Sequence, residues 1–285
     1  MSHDASGGAL VAGLWTWTNH VLLPAQALKH AGVMVVPPPQ GEQPVGVPSP
    51  GLGPRFSVQY RDPVLLDHPT EHDHLVTEFD RMGEIYDAFV APFSTPIFSE
   101  AMDVVATVLA SDARVLDAGC GAGRELRRVA RMVPDGEVVG IDLAAGMVLA
   151  AHRAARSHGL DHCAFFQSDV GELPSLFDGQ FDMVYNCLAH HHYPDPPAAA
   201  RAIIRCLRPG GLYCVIDPGP AWFNAMSAGI AKKTDPGWIG FHTPDEYREL
   251  LLAAGFARVR WEELLPGFGL VTAQAPHDSA QPQVA

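Results

Sequence analysis

Basic residues are scarce in this sequence. Lysine and arginine together number 19 against 32 aspartates and glutamates, so the 285-residue chain carries a formal net charge of −13 with histidine neutral. Proteins bind nucleic acids by neutralising phosphates with Lys and Arg, and clusters of the same residues dock on anionic membranes. We therefore expect neither a nucleic acid nor a membrane as partner. An acidic chain of this kind suits a cationic ligand.

Cysteine pairs are also missing. The five cysteines are an odd number, and none of them stands in a CxxC pair. This pattern predicts reduced thiols and excludes both a disulfide framework and a zinc site built on paired cysteines. We expect a cytoplasmic protein with no bound metal.

Charge is absent from the stretch between Ala5 and Leu28. The stretch has no basic start, as a secretion signal would, and polar residues and Pro24 interrupt it. Its apolar residues recur at helical spacing, namely Leu10, Leu14, Trp17 and Val21. We predict an amphipathic helix, with a signal or membrane anchor as the alternative.

Residues 36–54 are rich in proline and glycine, which predicts a linker or arm. Residues 1–74 are thus an expected N-terminal extension that encloses substrate or supports a homodimer.

Short apolar segments alternate with amphipathic ones over residues 75–276. The predicted helices cover 75–89, 96–110, 123–132, 144–157, 196–207 and 244–254, and the predicted strands cover 113–118, 137–141, 163–167, 181–186, 211–216, 257–263 and 269–274. Such an alternation is typical of a doubly wound, mostly parallel α/β sheet, here with seven strands. The turn Pro266-Gly267 is too short for a parallel crossover, so the last two strands must form an antiparallel hairpin. Residues 277–285 are expected to be a disordered tail.

A glycine turn follows the first of these strands, at Asp117-Ala118-Gly119-Cys120-Gly121-Ala122-Gly123. Glycine is needed where the backbone bends sharply or lies against a ligand, and the next helix offers free N–H groups to an anion. The spacing is GxGxG, and Arg124 stands where a GxGxxG motif has its third glycine. Asp117 would repel a pyrophosphate and attract a cation. These details favour S-adenosylmethionine (SAM) over a nicotinamide or flavin dinucleotide.

Two further acids close the second and third strands. Asp142 lies 19 residues after Gly123 and can accept both ribose hydroxyls, with a helix N-cap as its alternative role. Asp169 can accept the adenine amino group while the Val170 amide bonds a ring nitrogen. In an open α/β sheet the ligand crosses the carboxyl ends of the strands, so three acids there predict one cofactor site.

These segments resemble the class I SAM-dependent methyltransferases of the small-molecule group that includes ubiquinone and menaquinone C-methyltransferases. The resemblance rests on VLDAGCGAG (115–123), GIDLAAGM (140–147), SDVGELP (168–174), LRPGGLYCVID (207–217), FHTPDEYRELLLAAGFARV (241–259) and TEFDRMGEIYDAFVAPF (77–93). It implies a Rossmann-like methyltransferase fold with SAM as cofactor. It adds Tyr86, Leu143, Met147 and Asn186 to the expected cofactor contacts, with Tyr86 at the carboxylate end of SAM.

The segment after the fourth strand carries three adjacent histidines, His190, His191 and His192. Neighbouring histidines cannot easily share one metal ion in regular structure, so we expect no metal there. We expect His190 or His191 to act as general base towards a hydroxyl acceptor, since a neutral imidazole titrates near pH ~6.5. The alternative is a purely structural role, which we favour for His192.

A long aromatic segment, residues 218–242, separates the fifth strand from the next helix. Connections of this length are often functional, and we predict a lid over the acceptor. The lid contacts would come from Trp222, Phe223, Met226, Trp238 and Phe241; alternatively these aromatics pack the lid against the core.

The sequence therefore predicts an enzyme that methylates a small, largely apolar molecule, such as an aromatic, quinone or polyketide-like compound of secondary metabolism. Two alternatives remain open. One is a SAM-fold enzyme that catalyses another reaction, such as a cyclisation; the other is a non-catalytic SAM-binding regulator.

Overall fold

The computed structural model describes residues 14–18, 56–60, 62–66, 86–235 and 237–277, with backbone only for 14–18, 56–60, 86–93 and residue 234. Two N-terminal strands, β1 (Leu14–Thr18) and β2 (Phe56–Tyr60), pair antiparallel. The remaining elements are α1 (Tyr86–Val105), β3 (Arg114–Ala118), α2 (Arg124–Met132), β4 (Glu137–Asp142), α3 (Ala145–Ser157), β5 (Cys163–Gln167), β6 (Phe181–Cys187), α4 (Pro196–Cys206), β7 (Leu207–Pro218), α5 (Ala221–Thr234), α6 (Pro244–Ala253), β8 (Ala257–Leu265) and β9 (Phe268–Gln274). Three short 3₁₀ turns lie at 170–172, 175–177 and 190–192.

Seven strands form one mixed sheet in the order β5-β4-β3-β6-β7-β9-β8. The five strands from β5 to β7 run parallel, and β9 pairs antiparallel with both β7 and β8. The predicted doubly wound sheet with a C-terminal antiparallel hairpin is thereby confirmed. The order reverses beside β3, where the connections leave on opposite sides, so the carboxyl ends of β3, β4 and β6 border a crevice.

The core lies on both faces of the sheet, because successive side chains of a strand point to opposite faces. On one face, Leu116 and Val184 pack with Tyr247 of α6, and on the other, Val115 packs with Phe98 of α1. Near-continuous apolar runs in β3 and β4 follow from this burial on both sides.

The structure corrects three predictions of secondary structure. Residues 14–18 form a strand, so the helix predicted from Leu10 to Val21 is wrong for them; the alternating threonines and tryptophans of LWTWT favour an extended chain. Residues 86–105 form one helix that continues through Pro92 and Pro96, where two helices had been predicted, and residues 75–85 lie outside the described part. The expected lid contains a regular helix, α5, of 14 residues.

A short segment covers the β5 edge of the sheet. The Val64 amide donates to the Phe165 carbonyl at 2.9 Å, and the Gln167 amide donates to the Val64 carbonyl at 2.7 Å. The Gln167 side chain accepts from the Leu66 amide and donates to the Leu143 carbonyl. Residues expected to belong to an N-terminal extension therefore complete the main sheet. Among the helices that the structure describes, none has the length and apolar character that crossing a membrane requires.

Candidate active site

The glycine turn sits at the carboxyl end of β3. Gly119, Gly121 and Gly123 adopt positive φ angles of 87°, 49° and 74°, which L side chains rarely reach. A Cβ added at Gly119 would lie 2.7 Å from Ala189 Cβ, so the turn also needs glycine for its close contact with the segment after β6. The amides of Gly119 and Cys120 both donate to the Ile141 carbonyl, which fixes the turn against β4.

Asp142 binds this turn from the end of β4. Its Oδ2 accepts from the Gly121 amide and its Oδ1 accepts from the Ala144 amide, both at 2.9 Å. Ala144 is the N-cap residue of α3, so Asp142 supports the helix start without being the cap itself. A carboxylate oxygen can accept more than one hydrogen bond. The predicted ribose contact is therefore compatible with the geometry.

The end of β5 brings the other expected cofactor residues to the same edge. Asp169 accepts from the Gly171 amide at 2.7 Å and starts the 3₁₀ turn at Val170, which is buried. Met147 is buried with Ala122 and Ala144 beneath the glycine turn. The Leu143 carbonyl is held by Gln167. Tyr86 begins α1, and the structure describes only its backbone.

Asp117 lies below the glycine turn and is almost completely buried. Its Oδ2 accepts a 2.7 Å hydrogen bond from the hydroxyl of Tyr185 on the neighbouring strand β6. Burial raises the pKa of the Asp117 carboxyl well above its ordinary value, against the opposing effect of the Tyr185 hydrogen bond; nearby Glu125 and Asp142 raise it further. The raised pKa favours the neutral form of Asp117, and a cationic ligand above it would favour the charged form.

Asn186 does not occupy the predicted position. Its side chain is fully buried, and its Nδ2 donates to the Tyr213 hydroxyl at 2.9 Å on the face of the sheet that packs against α4 and α6. The side chain therefore braces the core behind β6, and the geometry does not favour the cofactor contact that the resemblance implied. Tyr193 lies beside this pair and donates from its hydroxyl to the Ala118 carbonyl.

His190 is buried among aromatic rings. Its ring centroid lies 4.9 Å from those of Tyr193 and Tyr247 and 5.1 Å from that of His242. Burial lowers the His190 pKa to about 3, with a smaller contribution from His242. Its Nδ1 has no hydrogen-bond partner among the described residues. A base this weak cannot deprotonate a hydroxyl efficiently at neutral pH.

His191 forms an ion pair with Asp217 at the end of β7. The Nδ1–Oδ1 distance is 2.7 Å, and Tyr247 donates to the other Asp217 oxygen at 3.1 Å. On the opposite side of the ring, His191 Nε2 lies 3.5 Å from Asp235 Oδ2. Burial lowers the His191 pKa, but Asp217 and Asp235 outweigh it and hold that pKa at about 9. His191 is therefore protonated at neutral pH, and the role of free general base predicted for it is not favoured.

His192 shares Asp235 with His191. Its Nε2 lies 3.6 Å from Asp235 Oδ2, and the His191 and His192 ring centroids are 4.1 Å apart. Burial, together with His191, lowers the His192 pKa to about 4. Sequence reasoning missed Asp217 and Asp235 as partners of the histidines. An acid at the end of the fifth strand was a readable signal for Asp217, whereas the contact of Asp235 depends on where α5 ends.

A cavity of about 290 Å³ opens beside the histidine turn. Its walls are His190, His191, Tyr193, Pro196, Ile239, Gly240, Phe241, His242 and Glu246. The Ile239 amide donates to the His191 carbonyl, which fastens the wall to the turn.

The aromatic residues predicted to form the lid do not all lie at the cavity. Phe241 lines the cavity with its ring 5.1 Å from that of His191, and Trp238 packs behind Phe241. Phe223 packs on Phe268 of the C-terminal hairpin, away from the cavity, and Trp222 is 56% exposed on α5. The structure therefore brings together only the carboxyl-terminal part of the predicted lid.

Comparison with known proteins decides the family. Residues 109–251, half of the chain, match the family described as "Methyltransferase domain". The chain belongs to this family. A match over half of the sequence includes the glycine turn, the three acids and the histidine turn, so the resemblance read from the motifs is confirmed.

Named relatives agree with this assignment. The methyltransferase is 34% identical over 204 residues to nocamycin O-methyltransferase of Saccharothrix syringae, covering 64% of this chain and 72% of that protein. It is 34% identical to a ubiquinone biosynthesis O-methyltransferase of Psychrobacter arcticus, over 51% of this chain and 59% of that one. A SAM-dependent methyltransferase from Aquifex aeolicus has the same fold, with a TM-score of 0.54 and 22% identity over 70% of this chain and 97% of that one.

The protein is thus a SAM-dependent methyltransferase. Its residues fit the cofactor, because a glycine turn with positive φ angles lies at the carboxyl edge of β3 and the Asp117 and Asp142 carboxyl groups lie beside it, where a cationic sulfonium or ammonium would be attracted.

Proposed function

We propose that this enzyme methylates an oxygen atom of a small, largely apolar acceptor bound in the cavity beside the histidine turn. The observation that carries the proposal is the composition of that cavity. Four of its nine lining residues are aromatic or aliphatic, and the polar side chains among the others are three imidazoles and the Glu246 carboxyl group. Small-molecule sites have this mixture, since apolar walls supply binding and a few polar groups fix orientation.

Two imidazole atoms supply the polar contacts in this proposal. His190 Nδ1 and His242 Nδ1 are buried, and neither has a hydrogen-bond partner within the described residues. A buried polar atom left unpaired costs roughly 1–3 kcal/mol. An acceptor oxygen in the cavity can remove this cost, and both imidazoles are neutral at pH 7 because burial lowers their pKa values. Relatives named as O-methyltransferases support oxygen as the methylated atom.

SAM, when bound, supplies an electrophilic methyl group, and the chain's own residues hold it in register with the acceptor. We assign the ribose to Asp142, the adenine to Asp169 and the Val170 amide, and the amino-acid end to the turn at Gly119 and Gly121. Leu143 and Met147 line this site in our assignment, Asp117 lies beneath it, and Tyr86 is assigned to the carboxylate end of SAM. Alignment of the reacting groups in a site closed to water is where such an enzyme contributes most.

No histidine of the turn has a pKa near neutrality, so we propose that His190 and His191 position groups without exchanging protons at pH 7. His190 would hydrogen-bond the acceptor, and the His191–Asp217 pair would fix the cavity wall. The five cysteines are all free, which suits a reducing cytoplasmic compartment.

Product analysis tests the proposal. The protein would be incubated with SAM and a panel of phenols, quinones and polyketide-like hydroxy compounds, and products would be analysed by mass spectrometry together with S-adenosylhomocysteine. We expect a methyl ether or ester and stoichiometric S-adenosylhomocysteine. Conversion of an acceptor without S-adenosylhomocysteine would instead support a reaction such as a cyclisation. Methylation at nitrogen or carbon alone would contradict the choice of oxygen.

A further inference from the structure

A group of three potential metal ligands lies at the outer side of the histidine turn. His191, His192 and Asp235 each offer one ligand atom, and these three atoms all lie within 4.8 Å of one another. The two Nε2–Oδ2 distances are 3.5 and 3.6 Å. Ligands bound to Zn²⁺ at about 2.0–2.2 Å in tetrahedral geometry stand roughly 3.3–3.5 Å apart. The two separations from Asp235 are therefore close to those between ligands of such an ion.

Adjacent histidines meet here in a short turn. Residues 190–192 form a single 3₁₀ turn after β6. The rings of His191 and His192 stand at 47° with centroids 4.1 Å apart, and both direct Nε2 towards the end of α5. We expected neighbouring histidines in regular structure not to share an ion, but in this single turn the two rings lie together and face the same carboxylate.

Two of the three ligands, His191 and Asp235, are held from behind by further groups, as metal ligands are. His191 places its other nitrogen, Nδ1, 2.7 Å from the fully buried Asp217. Asp235 has its Oδ1 held by the Gly237 amide at 3.3 Å, which leaves Oδ2 facing the two imidazoles. Metal-binding histidines almost always donate their second N–H to a carboxylate or carbonyl, and this contact fixes the ring. Asp217 would hold His191 in this way, and the ion would displace the proton from His191 Nε2 on binding.

The geometry points to a Zn²⁺-type divalent metal site formed by His191, His192 and Asp235, with Asp217 as the positioning residue behind His191. Two imidazoles and one carboxylate favour Zn²⁺ or a similar transition metal over Mg²⁺ or Ca²⁺, which prefer oxygen ligands. Three protein ligands leave a fourth position to water or another oxygen ligand. The ion would join the end of α5 to the histidine turn and thereby fix the cavity wall at residues 237–242. This inference does not depend on the identity of the acceptor.

Metal binding is tested directly on the full chain. The purified protein would be stripped with a chelator and dialysed against Zn²⁺, and metal content would be measured by mass spectrometry; Co²⁺ would serve as a spectroscopic probe. We expect one Zn²⁺ per chain, visible absorption of four-coordinate Co²⁺, and a higher melting temperature with metal. Asp235→Asn and His192→Ala should lose the ion. Asp217→Asn should weaken binding by about 10–100-fold.

Matched controls separate this site from other histidines and acids. Glu262→Gln and His158→Ala change exposed residues of the same types and should leave metal content unchanged. Asp235 is partly exposed, so Asp235→Asn is expected to fold, which circular dichroism and SAM binding would check. Hydrogen exchange at residues 237–242 should slow when Zn²⁺ is added to the wild type only. Equal metal content in wild type, Asp235→Asn and His192→Ala would overturn the inference, as would no retained metal in the wild type.

Discussion

At the scale of single residues, Asp142 combines two tasks. Its carboxylate already accepts the Gly121 and Ala144 amides, so the glycine turn and the start of α3 are fixed before any ligand arrives. Such preorganisation lowers the cost of binding, because less conformational freedom is lost when the cofactor enters. The sequence predicted this residue correctly as a strand-end acid, but the two amide bonds follow from how the turn folds back onto β4.

Replacing Asp142 with alanine should weaken SAM binding by at least about tenfold. Hydrogen bonds to a charged group contribute roughly 1.5–3 kcal/mol each, and about 1.4 kcal/mol corresponds to a factor of ten. Isothermal titration calorimetry with SAM gives the affinity, and circular dichroism checks the fold. Asp142→Asn retains the side-chain shape and should give a smaller loss, while Asp161→Ala changes an acid that is 79% exposed and serves as control. Unchanged affinity in Asp142→Ala would remove the ribose assignment.

The raised pKa of His191 predicts that the free energy of unfolding depends on pH. Its folded pKa of about 9 lies above the ordinary value of 6.5, so the unfolded chain releases this proton first as pH rises. The contribution of the His191–Asp217 pair is therefore complete below about pH 6.5 and lost as pH rises through about 9. For a side chain this buried, the loss should be on the order of 2–3 kcal/mol.

The measurement compares urea unfolding at pH 6.5 and pH 9.5 for wild type and His191→Gln, with a chelator present throughout. Wild type should lose more unfolding free energy across this range than His191→Gln, which lacks the titrating group. The exposed His158→Gln should behave as the wild type does. Parallel pH profiles for wild type and His191→Gln would show that the pair does not form in solution.

At the scale of elements, the secondary-structure predictions succeeded where the hydrophobic pattern of a segment matched its burial in the fold. Strands β3 to β6 and helices α2 to α4 were bounded within one or two residues, since buried apolar runs and amphipathic periodicity leave little choice. The division of α1 at Pro92 and Pro96 failed because packing of Phe98 and Ala101 against the core outweighs the hydrogen bonds that proline removes. Helix α5 was missed because the aromatics of this segment were interpreted as lid contacts, although Trp222, Met226 and Ile230 recur at helical spacing; in the structure these three residues are exposed on the helix.

Substitutions of the predicted lid residues should have different effects, depending on whether the residue lines the cavity or lies on α5. Phe241 lines the cavity, whereas Trp222 is exposed on α5. Phe241→Ala should therefore raise the acceptor KM or lower kcat several-fold and leave SAM affinity nearly unchanged, while Trp222→Ala should leave all three nearly unchanged. Acceptor kinetics, SAM calorimetry and melting temperature on both variants provide the comparison. Equal losses of SAM and acceptor binding in Phe241→Ala, with a lower melting temperature, would indicate a core residue.

At the scale of the whole molecule, the sheet does not end at β5. The bridge between Val64 and Phe166 supplies hydrogen-bond partners along that edge, and the buried Val64 joins the core beneath it. Sequence reasoning placed the domain boundary near residue 75, because residues 62–66 carry no motif and too few residues to show a period. An exposed strand edge invites pairing with other chains, so this short segment protects the molecule as well as completing its fold.

Two truncations that differ by five residues test this role. One begins at Asp62 and retains the bridging segment, and the other begins at Asp67 and lacks it. Losing Val64 from the core, together with the hydrogen bonds on the edge, should lower the free energy of unfolding by roughly 2–4 kcal/mol relative to the longer form. The shorter form should also aggregate faster at equal concentration, because the β5 edge is uncovered. Urea unfolding and light scattering on the pair measure both effects. The same stability and the same scattering in the two forms would mean that the core domain closes its own edge, and the boundary near residue 75 would then stand.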